Sequence, residues 1–384
     1  MEHTMINRRH FSVALGQGAA AVAAGFAGVA RAQSDAPLVL GQSAPLTGPA
    51  AQLGLQFNEG AKLWLDAYNA QAGARRVTLK AMDDGYEPER TAANTSRFLE
   101  EEVLALFGYI GTPTSVAALP LIARERVPFI APFTGAMSLR DPFQRHVFHL
   151  RASYNDETAL IVNQLANLGL KKIAVFHQND AYGQAGLAGV TLALAQHKLQ
   201  PTGTATVERN SEDVSAAVAK LVPLRPDAIV QVGAYKACAA FIRAARKAGF
   251  GGTFYNVSFV GTKALADELG KDGAGVVVSQ VMPSPYSAAN GLTRDFADAA
   301  RKTGNAAIKP NYSSIEGFLA ARVLTEGLRR APGGRVTREG LIAGLESIDR
   351  QTFGGFDVSF SARNHVASKF VELSMLTGDG GVRT

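Results

Sequence analysis

Short hydroxyl-rich loops follow several apolar runs of this chain, and side chains of that kind suit the binding of a small anion. The loop Gly111-Thr112-Pro113-Thr114-Ser115 comes directly after one such run. Thr112 suits the N-cap of a helix and Pro113 suits its first residue. Exposed N–H groups of that helix, with the hydroxyls of Thr112, Thr114 and Ser115, would form an anion site. Plain helix capping explains the same residues equally well.

Aromatic and small residues mark three further strand ends. Phe133, Thr134 and Gly135 follow a proline-flanked apolar run, and a glycine there lets the backbone approach a ligand closely. Tyr182 and Tyr235 each follow another apolar run, where a tyrosine suits the wall of a partly apolar site. Taken alone, each of these tyrosines is more often part of a core or of the rim of a site.

Catalytic and metal-binding signatures are missing from the sequence. It contains no GxSxG, HExxH, Walker A or GxGxxG motif, and its histidines are scattered rather than set at ligand spacing. Asp83 and Asp84 could form a metal or acid–base pair, but a turn after a strand explains them more simply. Cys238 is the single cysteine, which excludes an internal disulfide. We therefore expect no enzyme activity, no cofactor and no metal site.

The composition indicates a globular protein that does not bind nucleic acid. The 384 residues are 47% hydrophobic and 19% charged. Their number suggests two domains, at about 150 residues per domain. The formal charge is +6, and residues 1–32 carry +2 of it through Arg8, Arg9, Arg31 and Glu2. The remaining charge is weak for a nucleic-acid binder, and no basic cluster is interleaved with aromatic residues.

Residues 1–32 are typical of an export signal. Two adjacent arginines precede an uncharged stretch from Ser12 to Ala30, and Ala30-Arg31-Ala32 places small residues where a signal peptidase recognises them. The arginines resemble a twin-arginine signal, although Asn7 stands where such signals carry Ser or Thr, so a Sec signal stays an alternative. No cysteine follows the cleavage site, which excludes a lipid anchor there. We expect cleavage near Ala32 and export to the periplasm.

Beyond the leader, short apolar runs alternate with amphipathic segments. This alternation predicts βαβ units and parallel sheets with helices on both faces, an α/β fold. The series restarts near Ala152 and breaks at Val281–Pro285, where two prolines in three residues suit a linker. Two long helices follow, and the tail from Phe353 to Leu376 predicts antiparallel strands around residues 360–364.

The predicted elements are as follows. Helices are expected over residues 58–68, 88–101, 114–124, 156–168, 183–196, 212–221, 235–248, 263–269, 292–302 and 314–330. Strands are expected over residues 37–41, 77–82, 103–107, 128–131, 172–176, 202–207, 227–232, 253–257 and 274–280.

Several of these segments, in this order and spacing, resemble one protein family. The segments are Leu46-Thr47-Gly48-Pro49 with Gly54, Asp83-Asp84 with Pro88, the Gly111–Ser115 loop, Pro132 with Thr134-Gly135, Asp180-Ala181-Tyr182-Gly183, and Ala244 to Gly249. From Pro37 to Met375 the chain resembles the leucine/isoleucine/valine-binding proteins of the periplasm, which serve ABC importers. The resemblance implies two Rossmann-like lobes with a hinge of three crossovers, the periplasmic binding protein type I fold.

The resemblance also implies where the lobes and the ligand lie. One lobe would comprise residues 37–152 with 283–355, and the other residues 153–282 with 356–384. The ligand's carboxylate would bind Thr112, Thr114 and the backbone of residues 133–135. Tyr182 and Tyr235 of the second lobe would close over the ligand. Tyr312 and Leu53 would line the part of the site that holds the ligand's side chain.

Two departures from the family pattern stand out. A disulfide of the family's amino-acid binders would join the positions of Tyr86 and Gly111, and both cysteines are missing together. The acid that pairs with a ligand's ammonium should lie within residues 256–259, where we find Ser258 and no acid. An unpaired buried charge costs about 2–5 kcal/mol, against about 8 kcal/mol for all of a micromolar affinity. The sequence therefore favours a small aromatic or branched carboxylate that has no ammonium group.

These observations predict an extracytoplasmic solute-binding protein of an ABC importer of the branched-chain amino acid type. Its ligand would be an amino acid or a related organic or aromatic acid. Its protein partner would be the importer's permease, and we expect a monomer. The alternative is a ligand-sensing receptor of the same fold without a transport role. A hydrolase that uses Ser258 would need a base, and no recognisable motif supplies one.

Overall fold

The computed structural model describes residues 36–333 and 336–384. The leader predicted over residues 1–32 lies outside this part of the chain. Within the described part, none of the helices is long and apolar enough to cross a membrane.

A parallel sheet forms from the first third of the described chain. Its strands are β1 (Leu38–Ala44), β2 (Val77–Asp83), β3 (Ala105–Phe107), β4 (Phe129–Ile130) and β5 (Val147–Phe148). The connecting helices are α1 (Ala51–Asn69), α2 (Pro88–Glu100) and α3 (Thr112–Glu125). The spatial order is β2-β1-β3-β4-β5. Nearly all of β1, β3 and β4 is buried, and burial on both faces explains why these strands are continuous apolar runs.

The chain then builds a second sheet. Its helices are α4 (Tyr154–Asn167), α5 (Ala181–Gln196), α6 (Ser215–Leu221), α7 (Tyr235–Lys247) and α8 (Thr262–Leu269). Its first five strands are β6 (Ile173–Gln178), β7 (Gly203–Val207), β8 (Ala228–Val232), β9 (Thr253–Asn256) and β10 (Val277–Gln280). These five strands pair in parallel, so the predicted βαβ repeats are present here too.

The rest of the chain returns to the first sheet and then completes the second. The returning elements are α9 (Gly291–Lys302), α10 (Tyr312–Arg330), α11 (Arg338–Glu346) and the hairpin β11 (Gln351–Phe353) with β12 (Phe356–Val358). Strands β13 (Glu372–Leu376) and β14 (Val382–Arg383) then extend the second sheet in antiparallel fashion, which gives the order β14-β13-β10-β9-β8-β6-β7.

We call the first sheet with α1–α3 and α9–α11 the first lobe, and the second sheet with α4–α8 the second lobe. The chain passes between the two sheets three times, after β5, after β10 and after β12. The predicted α/β class with two Rossmann-like lobes is confirmed. The residue boundaries predicted for the lobes, 37–152 with 283–355 and 153–282 with 356–384, remain a prediction.

Close packing between α1 and α10 attaches the returning segment to the first lobe. A Cβ atom on Gly60 would lie 1.8 Å from the Ser314 carbonyl oxygen, and one on Gly317 would lie 2.0 Å from that of Phe57. Real side chains do not approach backbone so closely. The two glycines therefore let the helix backbones touch, and this contact sets the position at which Tyr312 begins α10.

Some predicted elements differ from the observed ones. Helix α1 begins at residue 51 rather than 58, because its first turns pack against the loop after β1: a Cβ on Gly54 would lie 2.1 Å from the Pro45 carbonyl oxygen. Helix α11 was not predicted, although Thr337 caps it by accepting a hydrogen bond from the Gly340 N–H. The antiparallel strands expected in the tail are present as β12 and β13, but they pair with β11 and β10 rather than with each other, and one isolated bridge joins Ser361 to Asn364 between them.

Replacing Gly317 with alanine should destabilise the protein. The added methyl group would overlap the Phe57 carbonyl and force the helices apart, an overpacking effect that costs about 1–3 kcal/mol. The urea midpoint of unfolding measures this loss. Gly251→Ala is the matched control, because a methyl group added at that site would have nothing within 4 Å. Equal midpoints for the two variants would contradict the proposed helix contact.

Candidate ligand-binding cleft

Loops at the carboxyl ends of the parallel strands of the two sheets face each other, and we call the space between them the cleft. Ligands of open α/β sheets bind at these ends. Predicted site residues lie on both sides of it. In the first lobe they are Leu53, Thr112, Thr114, Ser115, Phe133, Thr134, Gly135 and Tyr312. In the second lobe they are Tyr182, Tyr235 and Ser258.

The hydroxyl-rich loop begins α3, but its cap differs from the predicted one. Gly111 is the N-cap and Thr112 is the first helical residue, so the expectation of a Thr112 cap is wrong by one position. Gly111 has φ +98°, a conformation that glycine adopts easily, so the chain turns there and the Thr112 side chain is released. The Thr112 hydroxyl instead lies 2.7 Å from the Thr134 hydroxyl.

The other hydroxyls of this loop have different surroundings. Thr114 donates to the carbonyl of Gly111, 3.0 Å away, and to that of Ile110, so its hydroxyl is used within its own turn. Ser115 Oγ is buried and has no hydrogen-bond partner among the described residues. A buried hydroxyl without a partner is costly, so Ser115 is a ready donor for a bound group. Thr134 Oγ1 also accepts from the Ala136 N–H at 3.2 Å and lies 3.3 Å from the Tyr154 hydroxyl. Ser115 is therefore the free hydroxyl among the described residues of this loop, and Thr112 and Thr134 would have to exchange their mutual hydrogen bond for one to a ligand.

Gly135 makes room for protein rather than for a ligand. A Cβ atom there would lie 2.6 Å from the Tyr154 backbone nitrogen, and the Gly135 carbonyl accepts a 2.8 Å hydrogen bond from that N–H. The close approach that we expected for a ligand is thus made by the start of α4. Through it the loop of Phe133 and Thr134 is joined to the second lobe.

Tyr86 and Gly111, the positions of the missing disulfide, lie side by side. A Cβ on Gly111 would be 2.3 Å from the Tyr86 ring. The ring is fully buried and faces the second lobe, where Gln178 Nε2 lies 3.3 Å from its hydroxyl oxygen. A tyrosine thus fills the place of the cross-link and adds an aromatic group to the cleft.

Aromatic rings meet across the cleft around Phe259. The centre of the Phe259 ring lies 4.4 Å from that of Tyr182, 5.8 Å from that of Phe133 and 5.9 Å from that of Tyr86. Two of these partners belong to the first lobe and one to the second. Tyr182 and Phe133 were predicted for the site, whereas Phe259 was not, because one more apolar residue after a strand carries no special signal.

A buried ion pair forms the floor of the cleft. Arg151 donates to both carboxylate oxygens of Glu316, at 2.8 and 2.6 Å, and the two side chains are 1% and 2% exposed. The guanidinium carbon also lies 3.8 Å from the centre of the Phe133 ring. Arg151 Nη1 donates to Ser258 Oγ at 3.2 Å. One cation thus joins a helix of the first lobe to the second lobe.

The structure places an acid next to Ser258 that the resemblance to the family did not indicate. Glu157, on α4, accepts hydrogen bonds from the Ser258 N–H at 2.7 Å, from the Ser258 hydroxyl at 3.1 Å and from the Ser279 hydroxyl at 2.5 Å. Burial raises the pKa of the Glu157 carboxyl, while Arg151 and these hydrogen bonds oppose the rise. No acid is close to Ser258 in the sequence, as expected. In the folded chain, however, Glu157 contacts Ser258 directly, so the expectation of no acid nearby is wrong.

The remaining predicted residues border the cleft. The Leu53 side chain lies against Gly261 of the second lobe, where a Cβ would be 2.4 Å away. Tyr235 begins α7 and is 3% exposed. Tyr312 lines, with Phe133, Arg151 and others, a cavity of about 10 Å³, which has room for no more than one water molecule.

The Asp83-Asp84 pair organises the loop after β1 rather than a reaction. Asp83 accepts hydrogen bonds from the backbone of Leu46 and the hydroxyl of Thr47, and Asp84 accepts from Ser43. Within residues 36–333 and 336–384, no group of three or more His, Cys, Asp or Glu side chains is arranged to hold a metal ion.

Comparisons with known proteins agree with this geometry. A family model described as "Periplasmic binding protein" matches residues 37–380. The chain belongs to this family. Its predicted family and fold, two lobes of the type I class, are therefore confirmed.

Individual relatives of this periplasmic binding protein span nearly its whole length. A possible leucine/isoleucine/valine-binding protein from Rhodopirellula baltica is 35% identical with a TM-score of 0.86, over 91% of this chain and 96% of that one. Leu/Ile/Val-binding protein homolog 2 from Brucella abortus is 24% identical over 91% of this chain and 93% of its own. A solute-binding protein from R. palustris, solved with benzoate, shares the fold at 20% identity and a TM-score of 0.79, over 90% and 94% of the two chains.

Polar contacts at the mouth of the cleft join the two lobes of this periplasmic binding protein. Arg209 of the second lobe lies 2.9 Å from a Glu87 carboxylate oxygen of the first lobe. Asn210 donates to the other Glu87 oxygen at 2.8 Å and to the Gly85 carbonyl at 3.0 Å. Asp180, 3.3 Å from Arg209, holds the guanidinium from its own lobe. We call Glu87, Arg209 and Asn210 the latch.

Replacing Arg209 with glutamine should speed ligand release. The latch contacts join the two lobes and would be lost if the lobes separated. A partly exposed ion pair contributes up to about 1 kcal/mol, so dissociation should be about fivefold faster. Stopped-flow dissociation at low and at high salt measures this, and the difference should shrink at high salt because exposed charges are screened. Lys263→Gln, which breaks the Lys263–Asp267 pair within α8, is the control. Equal rates for R209Q and the parent protein at low salt would contradict the latch.

Proposed function

We propose that this chain is the exported solute-binding protein of an ABC importer of the branched-chain amino acid type. It captures a small carboxylate between its lobes and presents it to a permease. The observation that carries the proposal is the pairing of Thr112 with Thr134 beside the unpartnered Ser115 hydroxyl, at the N-terminal end of α3. Hydroxyl groups and a positive helix end suit a carboxylate, and the closing second lobe would exclude water from it.

Two further observations support export and transport. Residues 1–32 have the layout of a secretory signal, which would place the mature chain in the periplasm, where the family's proteins act. The relatives' printed names refer to leucine, isoleucine and valine binding, and one refers to an ABC transporter. The latch and the aromatic contacts would hold the ligand until the permease opens the lobes.

The charges at the floor of the cleft favour a ligand without an ammonium group. Both oxygens of Glu316 accept from Arg151, and Glu157 already accepts three hydrogen bonds. A carboxylate has about four lone-pair positions, so Glu157 keeps about one for an ammonium and Glu316 about two, all close to the Arg151 guanidinium. The Arg151 guanidinium would in addition repel it. We therefore propose a carboxylate such as a short 2-oxo acid, and the benzoate bound by the R. palustris protein shows that this fold accepts a non-amino acid.

Calorimetric titration of the mature chain with matched ligand pairs tests this choice. Valine against 3-methyl-2-oxobutanoate, and leucine against 4-methyl-2-oxopentanoate, differ mainly in replacing the ammonium-bearing carbon by a carbonyl. We expect the 2-oxo acids to bind at least about tenfold more tightly, since one unpaired charge costs about 2–5 kcal/mol. Tighter binding of the amino acids would contradict the assignment and make Glu157 the partner of their ammonium.

Removing the hydroxyls at the start of α3 should weaken every carboxylate. A hydrogen bond to a charged group contributes about 1.5–3 kcal/mol, so Thr112→Val and Ser115→Ala should each lower affinity about ten- to a hundredfold. Thr191→Val is a matched control, because that hydroxyl bonds to the Leu187 carbonyl on an exposed part of α5. Unchanged affinity in both site variants would move the carboxylate site elsewhere.

A further inference from the structure

We infer that Phe259 determines the size of ligand that the cleft accepts, limiting it to carboxylates whose apolar part is no larger than a short branched chain. The inference rests on the proposed function. It starts from the position of the ring: Phe259 is fully buried and lies among the rings of Tyr86, Phe133 and Tyr182, between the two lobes. Its neighbour Phe133 directly precedes Thr134, whose hydroxyl belongs to the proposed carboxylate site.

The other side chains at this place are held by specific bonds. Arg151 is paired with Glu316, and the Ser258 hydroxyl accepts from Arg151 and donates to Glu157. The Tyr182 hydroxyl donates a hydrogen bond to the Gly233 carbonyl oxygen, 3.4 Å away. Phe259 has no polar atom in its side chain, so only packing holds it. Like Phe133, it can therefore change volume without leaving a buried polar atom unpaired, but unlike Phe133 it is not stacked on the Arg151 guanidinium.

The backbone around Phe259 places the ring in the cleft. Ser258, Phe259 and Val260 form one 3₁₀ turn after β9. The turn ends at Gly261, which has φ +79°. Two hydrogen bonds from Ser258 to Glu157 anchor the start of the turn. The Leu53 side chain packs on Gly261 at its end. Because both ends are held, the ring projects from a fixed base toward Phe133.

Free space next to the ring is small. The nearest cavity is bordered by Phe133, Arg151, Ser258 and Tyr312 but not by Phe259, and it measures about 10 Å³. No organic ligand fits such a space, so the apolar part of any ligand must displace rings of this cluster, and a phenyl group would displace more of them than a short branched chain. A two- or three-carbon apolar group needs a far smaller adjustment of the surrounding side chains. The ring thus acts as a size filter within the proposed carboxylate site.

Selectivity measurements on Phe259 variants test this role. Dissociation constants for 3-methyl-2-oxobutanoate and for benzoate would be measured for the parent protein, Phe259→Ala and Phe259→Leu. We expect the parent to prefer 3-methyl-2-oxobutanoate. The preference should shift at least tenfold toward benzoate in F259A, with F259L between the two, because the shorter side chains open space for a ring. Phe254→Leu, a buried ring in the core of the second lobe, should leave the ratio unchanged.

The ratio distinguishes a specificity role from a merely structural one, since a loss of stability would weaken both ligands alike. F259L, which keeps most of the apolar volume, provides the readout if F259A does not fold. A ratio that changes less than twofold in a folded Phe259 variant, or a parent protein that prefers benzoate, would overturn the inference and leave the proposed function intact. Failure of every protein to bind either carboxylate would instead overturn the proposed function.

Discussion

The buried ion pair between Arg151 and Glu316 is the interaction on which the cleft depends. Arg151 lies where the chain first passes from one sheet to the other, and Glu316 lies on the helix that returns to the first lobe. Breaking a buried pair costs about 3–5 kcal/mol because the remaining charge stays without a partner. The pair therefore fixes the lobes' common floor. Arg151 also positions Phe133 by stacking and Ser258 by hydrogen bonding. One guanidinium therefore contacts residues on both sides of the proposed site.

Around this floor the two ends of the cleft differ in chemistry. The first-lobe side offers hydroxyls and a helix N-terminus, which suit a negative group. The second-lobe side offers one acid, Glu157, that already accepts three hydrogen bonds, together with a fully buried ring at Phe259. Such a division would suit the proposed ligand, which is anionic at one end and apolar at the other. Ser258 stands where the resemblance places the acid of the family's amino-acid binders. Its hydrogen bonds are nevertheless satisfied, because Arg151 donates to its hydroxyl and Glu157 accepts from it.

Local patterns predicted the loops that follow the strands and border the cleft, whereas contacts between distant residues were not predictable. Apolar runs followed by Gly111–Ser115 or by Tyr182 identify loops at strand ends, because parallel strands end at one edge of a sheet. Glu157 and Ser258 are 101 residues apart, and Arg151 and Glu316 are 165 apart, so no spacing rule joins them. The cap of α3 was misplaced because Gly111 adopts a positive φ that sequence patterns do not reveal.

Measuring the distance between the lobes in solution tests the central claim that they trap the ligand between them. Spin labels at Glu89→Cys and Asp213→Cys would stand on exposed residues at either side of the latch, and the native Cys238 is buried and would stay unlabelled. The carboxylate that binds most tightly by calorimetry should shorten the mean distance and narrow its distribution. The same distribution with and without that bound carboxylate would contradict the account.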